Sequence, residues 1–203
     1  MKIIGLTGGS GVGKGAVCAI LLRYGVPAVD TDGVYHAILA RKDGCTAELA
    51  EAFGREILSE DGTVDRKRLA AAVFGKTNTP ALLHTLNSIT HKYIMAETHA
   101  LLREFAQNGA RAAVIDAPQL FEAGAEADCD VVLGIVADRA LRISRIVTRD
   151  GIPEEAAQRR INAQHDDAFY LEHCDAVLTN NGDLAELEEQ VKDFLLKFNV
   201  GLS

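Results

Sequence analysis

Near the start of the chain, Gly8-Gly9-Ser10-Gly11-Val12-Gly13-Lys14 has the composition and order of a phosphate cradle, G-x-x-x-x-G-K. Glycines let the backbone curl so that successive N–H groups point at one anion. A helix opening directly afterwards adds the positive end of its dipole. Lys14 supplies a point charge for the outer phosphates. Gly9, Ser10, Gly11, Val12, Gly13, Lys14, Gly15 and Ala16 are therefore the candidate phosphate contacts. The usual motif continues with Ser or Thr, whose hydroxyl reaches Mg²⁺, but here Gly15 and Ala16 follow. Either Mg²⁺ is held through waters and other groups, as this ion readily allows, or the loop binds nucleotide with weakened catalysis. Ser10 replaces the hydroxyl only if the loop turns it inward.

Two further groups have the right chemistry. Asp30-Thr31-Asp32 follows a short apolar run. A carboxylate there can accept a proton from an attacking hydroxyl or hold Mg²⁺ through water, and an aspartate there can equally cap a helix. Arg142, Arg145 and Arg149 recur at intervals of 3 and 4, so a helix places them on one face. Guanidiniums on one face suit a developing phosphoryl charge. Asp150, Glu154 and Glu155 are the local acids that could pair them instead.

The elements that position these groups are legible as patterns. Ile3–Thr7, Pro27–Asp30, Ala112–Asp116, Val131–Val136 and Ala176–Leu178 are short apolar runs without alternation, which predicts five strands buried on both faces of a parallel sheet. Helical patterns lie between them. Val17, Ile20, Leu21 and Tyr24 share a face before Gly25, and Asp183 opens a last amphipathic helix carrying Leu187, Val191, Phe194, Leu195 and Phe198. The alternation predicts an α/β fold with helices on both sheet faces. A helical insertion spans residues 33–109, with segments at Ala47–Phe53, Arg66–Phe74 and Ser88–Phe105. A second helical stretch covers 139–167, broken by a turn at Asp150-Gly151-Ile152-Pro153. The core is then 1–32, 110–138 and 168–203.

Composition narrows the class. The 203 residues are 48% hydrophobic and 25% charged, as in ordinary globular chains. A net charge of −8 argues against a nucleic-acid binder, which needs a basic face. Any anionic ligand must be held locally. Cys18, Cys45, Cys129 and Cys174 lack metal-ligand spacing and read as reduced thiols. The N-terminus resembles neither a signal peptide nor a membrane span, so a cytoplasmic setting is expected. Oligomeric state is not readable.

In order, Leu6-Thr7-Gly8-Gly9 through Lys14, Val29–Asp32, Ile115–Glu122, Arg149-Asp150-Gly151 with Arg160, Ile161 and Gln164, and Asn180-Asn181-Gly182 resemble the dephospho-CoA kinase family. The resemblance runs nearly end to end. It implies a P-loop kinase fold with a helical CoA-binding insertion and a small lid. It also implies ATP-dependent phosphorylation of the dephospho-CoA 3′-hydroxyl with Mg²⁺. By position it makes Asp32 the catalytic base, His91 and Asp116 substrate-site residues, and Asn180 an adenine contact. Lys14, Arg142 and Arg145 would stabilise the transferring phosphoryl group, with Arg149 reaching substrate. Departures are Thr31 within the family's Asp-Ala-Asp, Lys92 in place of a proline after His91, Gln119 for leucine, and Thr179 where aspartate is common. Two other readings stay open: a kinase for another small acceptor such as a nucleoside monophosphate, and a nucleotide-binding regulator.

Overall fold

The computed structural model describes residues 1–75 and 79–200. Positions 76–78 of the expected insertion and 201–203 of the expected core lie outside the described residues. The chain divides into two compact units, one of residues 1–29 and 102–203 and one of Asp30–Leu101.

The first unit is built on strands β1 (Lys2–Thr7), β2 (Ala28–Asp30), β3 (Ala112–Asp116), β4 (Val131–Val136) and β5 (Ala176–Thr179). Their spatial order is β2-β3-β1-β4-β5. β1 pairs in parallel with both β3 and β4, and β4 with β5. Each expected strand is present, with ends shifted by one residue at most. A central parallel strand has no solvent face, which is why β4 is buried at every position and its sequence shows no alternation.

Helix α1 (Lys14–Arg23) starts directly after the glycine loop. Its Val17, Ile20 and Leu21 pack with Ile4, Leu6, Val114, Leu133 and Ile135 of the sheet. The last helix, α9 (Leu184–Lys197), completes that layer through Leu187, Val191, Phe194 and Leu195. Burying each such side chain contributes about 1.5–3 kcal/mol. Asp183 caps α9 by accepting the Ala185 and Glu186 N–H groups.

In the second unit, α2 (Thr31–Leu39), α3 (Gly44–Phe53) and α4 (Arg66–Phe74) precede the long α5 (Pro80–Gln107), whose last turns enter the first unit. Asp30, Asp43 and Asp65 cap α2, α3 and α4. α2 is a helix that periodicity does not separate. α3 and α5 begin earlier than the expected segments, and the buried Cys45 and Leu86 lie in the added turns, so the buried stripe itself extends there.

The stretch 139–167 falls inside the first unit. It holds α6 (Arg139–Asp150) and α7 (Glu154–Asn162). Gly151, at φ 65, closes α6 in the left-handed region that favours glycine, and Pro153 sits at the entry to α7. Ile146, Ala157 and Ile161 hold the two helices together. α8 (Asp167–His173) follows.

Candidate active site

The loop is shaped by left-handed backbone. Gly11 and Gly13 take φ values of 81° and 98°, where a side chain is strained. Gly13 is the N-cap of α1, so the amides after it face outward at the helix start. Lys14 Nζ curls over the loop and donates to the Gly8 carbonyl at 3.2 Å. Gly15 is exposed, and a Cβ there would meet no heavy atom within 4 Å. Ala16 is half-buried and packs on the core, which accounts for its apolar side chain. The Ser10 hydroxyl is turned to Gln164, its Oγ accepting from Nε2 at 3.3 Å.

Two of the three arginines grip the loop. Arg142 is 4% exposed; its Nε donates to the Ser10 carbonyl at 3.0 Å, and its Nη1 lies 3.7 Å from Asp167 Oδ1. Burial holds this guanidinium below its ordinary value, opposed by the Asp167 charge. Arg145 donates to the carbonyls of Gly11 at 3.3 Å and Asn180 at 3.0 Å. Asn180 is buried and turned under the loop, its Nδ2 donating to the Val12 carbonyl at 2.7 Å. That side chain and Arg145 therefore fix loop shape. Arg149 is apart from the group. It pairs with Asp150, which also takes Arg160, so the local-acid pairing holds for this arginine.

Asp116 ends β3 in register with Leu6 of β1, and Ala117 N–H bonds the Leu6 carbonyl at 3.0 Å. This sets a carboxylate beside the strand that feeds the loop. Cys18 of α1 donates Sγ–H to Asp116 Oδ2 at 3.5 Å. Burial pushes the other thiols up, Cys45 and Cys174 to about 11 and Cys129 to about 12, so they stay protonated and unreactive at neutral pH.

The acidic pair divides its labour. Asp30 accepts the Asp32 N–H at 3.0 Å as the cap of α2, while Asp32 is exposed in the first turn. Capping and chemistry were competing readings of one motif; the structure gives the capping to Asp30. In the second unit, His91 sits mid-way along α5, and burial pushes its imidazole below the ordinary value, favouring the neutral ring. Lys92 holds both Glu48 carboxylate oxygens, at 2.7 and 2.6 Å.

Gln164, Asp167 and Cys18 carry no motif signal in the sequence that points to the loop. Gln164 Oε1 accepts the Ser10 N–H at 2.8 Å. Its partner is 154 residues away, beyond any local spacing rule. A cleft of about 640 Å³, lined in part by Arg139, Arg142, Gln164, His165 and Asp167, opens alongside.

A parallel sheet with a glycine loop between its central strand and a helix, clamped by two arginines of a later helix, defines a P-loop kinase. A family model described as dephospho-CoA kinase matches residues 2–186, and the chain belongs to the dephospho-CoA kinase family. It is 42% identical over 194 residues to a dephospho-CoA kinase of Corynebacterium jeikeium, covering 96% of this chain and 98% of that one. A dephospho-CoA kinase of Corynebacterium glutamicum is 38% identical over 195 residues, covering 96% and 98%. A crystal structure from Thermus thermophilus matches with a TM-score of 0.79 and 30% identity, over 97% of both chains. Dephospho-CoA kinase from Campylobacter jejuni shares the fold at a TM-score of 0.69 and 24% identity, over 98% of both. The protein is a kinase enzyme.

Proposed function

We propose that this kinase transfers the terminal phosphoryl group of ATP to the 3′-hydroxyl of dephospho-CoA, releasing coenzyme A and ADP in coenzyme A biosynthesis. The observation that carries the reading is the family match across residues 2–186, joined to a complete glycine loop with Lys14. Loop amides and Lys14 hold the outer phosphates. Asp32 takes the proton of the attacking hydroxyl, a bond forms from that oxygen to phosphorus, and the bond to the ADP oxygen breaks. Arg142 faces the transferred charge from a buried position, where a guanidinium acts strongly. Arg145 and Asn180 support it by holding the loop carbonyls. His91 and Arg149 are kept as substrate-side residues on the strength of the resemblance alone.

Mg²⁺ fits the donors present. No group of three or more His, Cys, Asp or Glu side chains suited to a metal occurs among the described residues, and Gly15 offers no hydroxyl. An ion that keeps most of its waters and takes one hard carboxylate suits this set. Asp116, at the end of β3, is the carboxylate that would hold it, and the exposed Asp32 is the other candidate. When bound, Mg²⁺ neutralises phosphate charge.

No helix among the described residues is long and apolar enough to cross a membrane. With unreactive thiols and ATP as substrate, the cytoplasm is the proposed setting.

An ADP-release assay with dephospho-CoA, with AMP, and with no acceptor tests the reading. Turnover with dephospho-CoA alone is predicted. Turnover with AMP but not dephospho-CoA would overturn it, and tight ATP binding without turnover on any acceptor would point to a regulator.

A further inference from the structure

Gln164 places one oxygen where a backbone amide and a guanidinium converge. Its Oε1 accepts the Ser10 N–H at 2.8 Å and Arg142 Nη2 at 3.4 Å. Nε2 of the same amide donates to Ser10 Oγ at 3.3 Å, and Arg142 Nε donates to the Ser10 carbonyl at 3.0 Å. The crest of the glycine loop, the buried arginine and the residue leading toward α8 are thus joined through a single side chain. A backbone amide and a guanidinium meeting on one oxygen is the donor set that a phosphate oxygen takes. The approach also explains Gly9. A Cβ there would come within 2.3 Å of Arg142 Nη2 and 3.1 Å of Gln164 Oε1.

We propose that Gln164 is a positioning residue that acts as an internal mimic of a phosphate oxygen. It keeps Ser10 and Arg142 aligned, and it yields both donors to the outermost phosphate of a nucleoside triphosphate. Ser10 lies four positions before Lys14, at the end of the loop away from the α1 N-terminus. With the inner phosphates held at the helix end, the outermost one would be the phosphate nearest Ser10. The half-buried amide borders the 640 Å³ cleft, which gives it room to turn aside. No covalent step is involved. The exchange makes the Ser10–Arg142 pair selective for triphosphate over diphosphate. It rests on the phosphate-loop reading above.

The test is amide hydrogen exchange at Ser10, read by NMR in the full chain. Without nucleotide, Gln164→Ala is predicted to speed Ser10 exchange at least about tenfold over wild type. A non-hydrolysable triphosphate analogue should restore protection, whereas ADP should not. Gln164→Glu keeps an acceptor oxygen for Ser10 but sets a negative charge against the phosphate. It should retain protection without nucleotide and lose at least about tenfold in triphosphate affinity, with ADP affinity changed far less. Wild-type exchange rates in Gln164→Ala would overturn the clip. Equal restoration by ADP, or equal affinity losses for ADP and triphosphate in Gln164→Glu, would overturn the outermost-phosphate assignment. If neither nucleotide shifts the amides of Gly11 to Lys14, the phosphate-loop reading fails instead, and the exchange comparison without nucleotide still decides the clip.

Discussion

Gly13 and Gly15 stand two positions apart and make opposite demands. Gly13 has φ 98, and a Cβ would lie 2.3 Å from Asn180 Nδ2. Gly13→Ala should cost about 2 kcal/mol and lower the melting temperature by roughly 4–8 °C, with nucleotide binding lost. Gly15→Ser meets open space, so its melting curve should match wild type while the Mg²⁺ dependence of turnover tightens. An unchanged magnesium titration would remove position 15 from the metal's surroundings. Asp32 is the other decisive residue. Asp32→Asn should cut kcat at least about 100-fold and leave ATP affinity within about threefold, measured by single-turnover kinetics and equilibrium titration; near-normal turnover would take away the base role. Lys14 and the glycines were readable because a phosphate cradle is local and its spacing is fixed. The roles of Arg145 and Asn180 were not. Their hydrogen bonds to the loop run to carbonyls more than 130 residues away, and a loop clamp leaves no periodic signature.

Helices and strands differ in how openly the chain declares them. β3 and β4 read true because strands buried on both faces must be continuously apolar. α5 reads short at its start, although Leu82, Leu86 and Ile89 keep helical spacing there and Leu86 is buried. That helix runs unbroken through Lys92. Lys92→Pro should therefore destabilise this chain by about 3 kcal/mol, because an interior proline deletes a hydrogen bond of the helix. Chemical denaturation would show it, and a wild-type midpoint would mean the helix tolerates a break there. At the α6–α7 turn, Arg149 and then Arg160 hold Asp150 well below its usual 3.8, at about 2. The unfolded chain therefore binds more protons than the folded one between those values. The stabilisation is complete above about pH 4 and is lost as pH falls toward about 2. Asp150→Asn should unfold more easily than wild type at about pH 6, and the gap should narrow at about pH 3. A gap that stays constant would show that the ion pairs add nothing in solution, as many exposed pairs do not.

Across the whole molecule, a net charge of −8 coexists with ligands that are themselves polyanions. The acidic background is broken at Lys14 and Arg142, and backbone amides supply the rest of the positive potential. The chain changes rhythm after β2, from strand–helix alternation to helices alone, while α5 continues from one unit into the other without a turn. Function was legible from the order of short motifs along the chain; the glycine loop alone marks only a phosphate binder. The central claim is the identity of the acceptor atom. Incubating the protein with ATP and dephospho-CoA and locating the new phosphate by ³¹P NMR tests it most directly. The account predicts a single new phosphomonoester on the ribose 3′-oxygen, formed one for one with ADP and suppressed in Asp32→Asn. Phosphate on any other atom, or ADP formed without a phosphorylated acceptor, would contradict it.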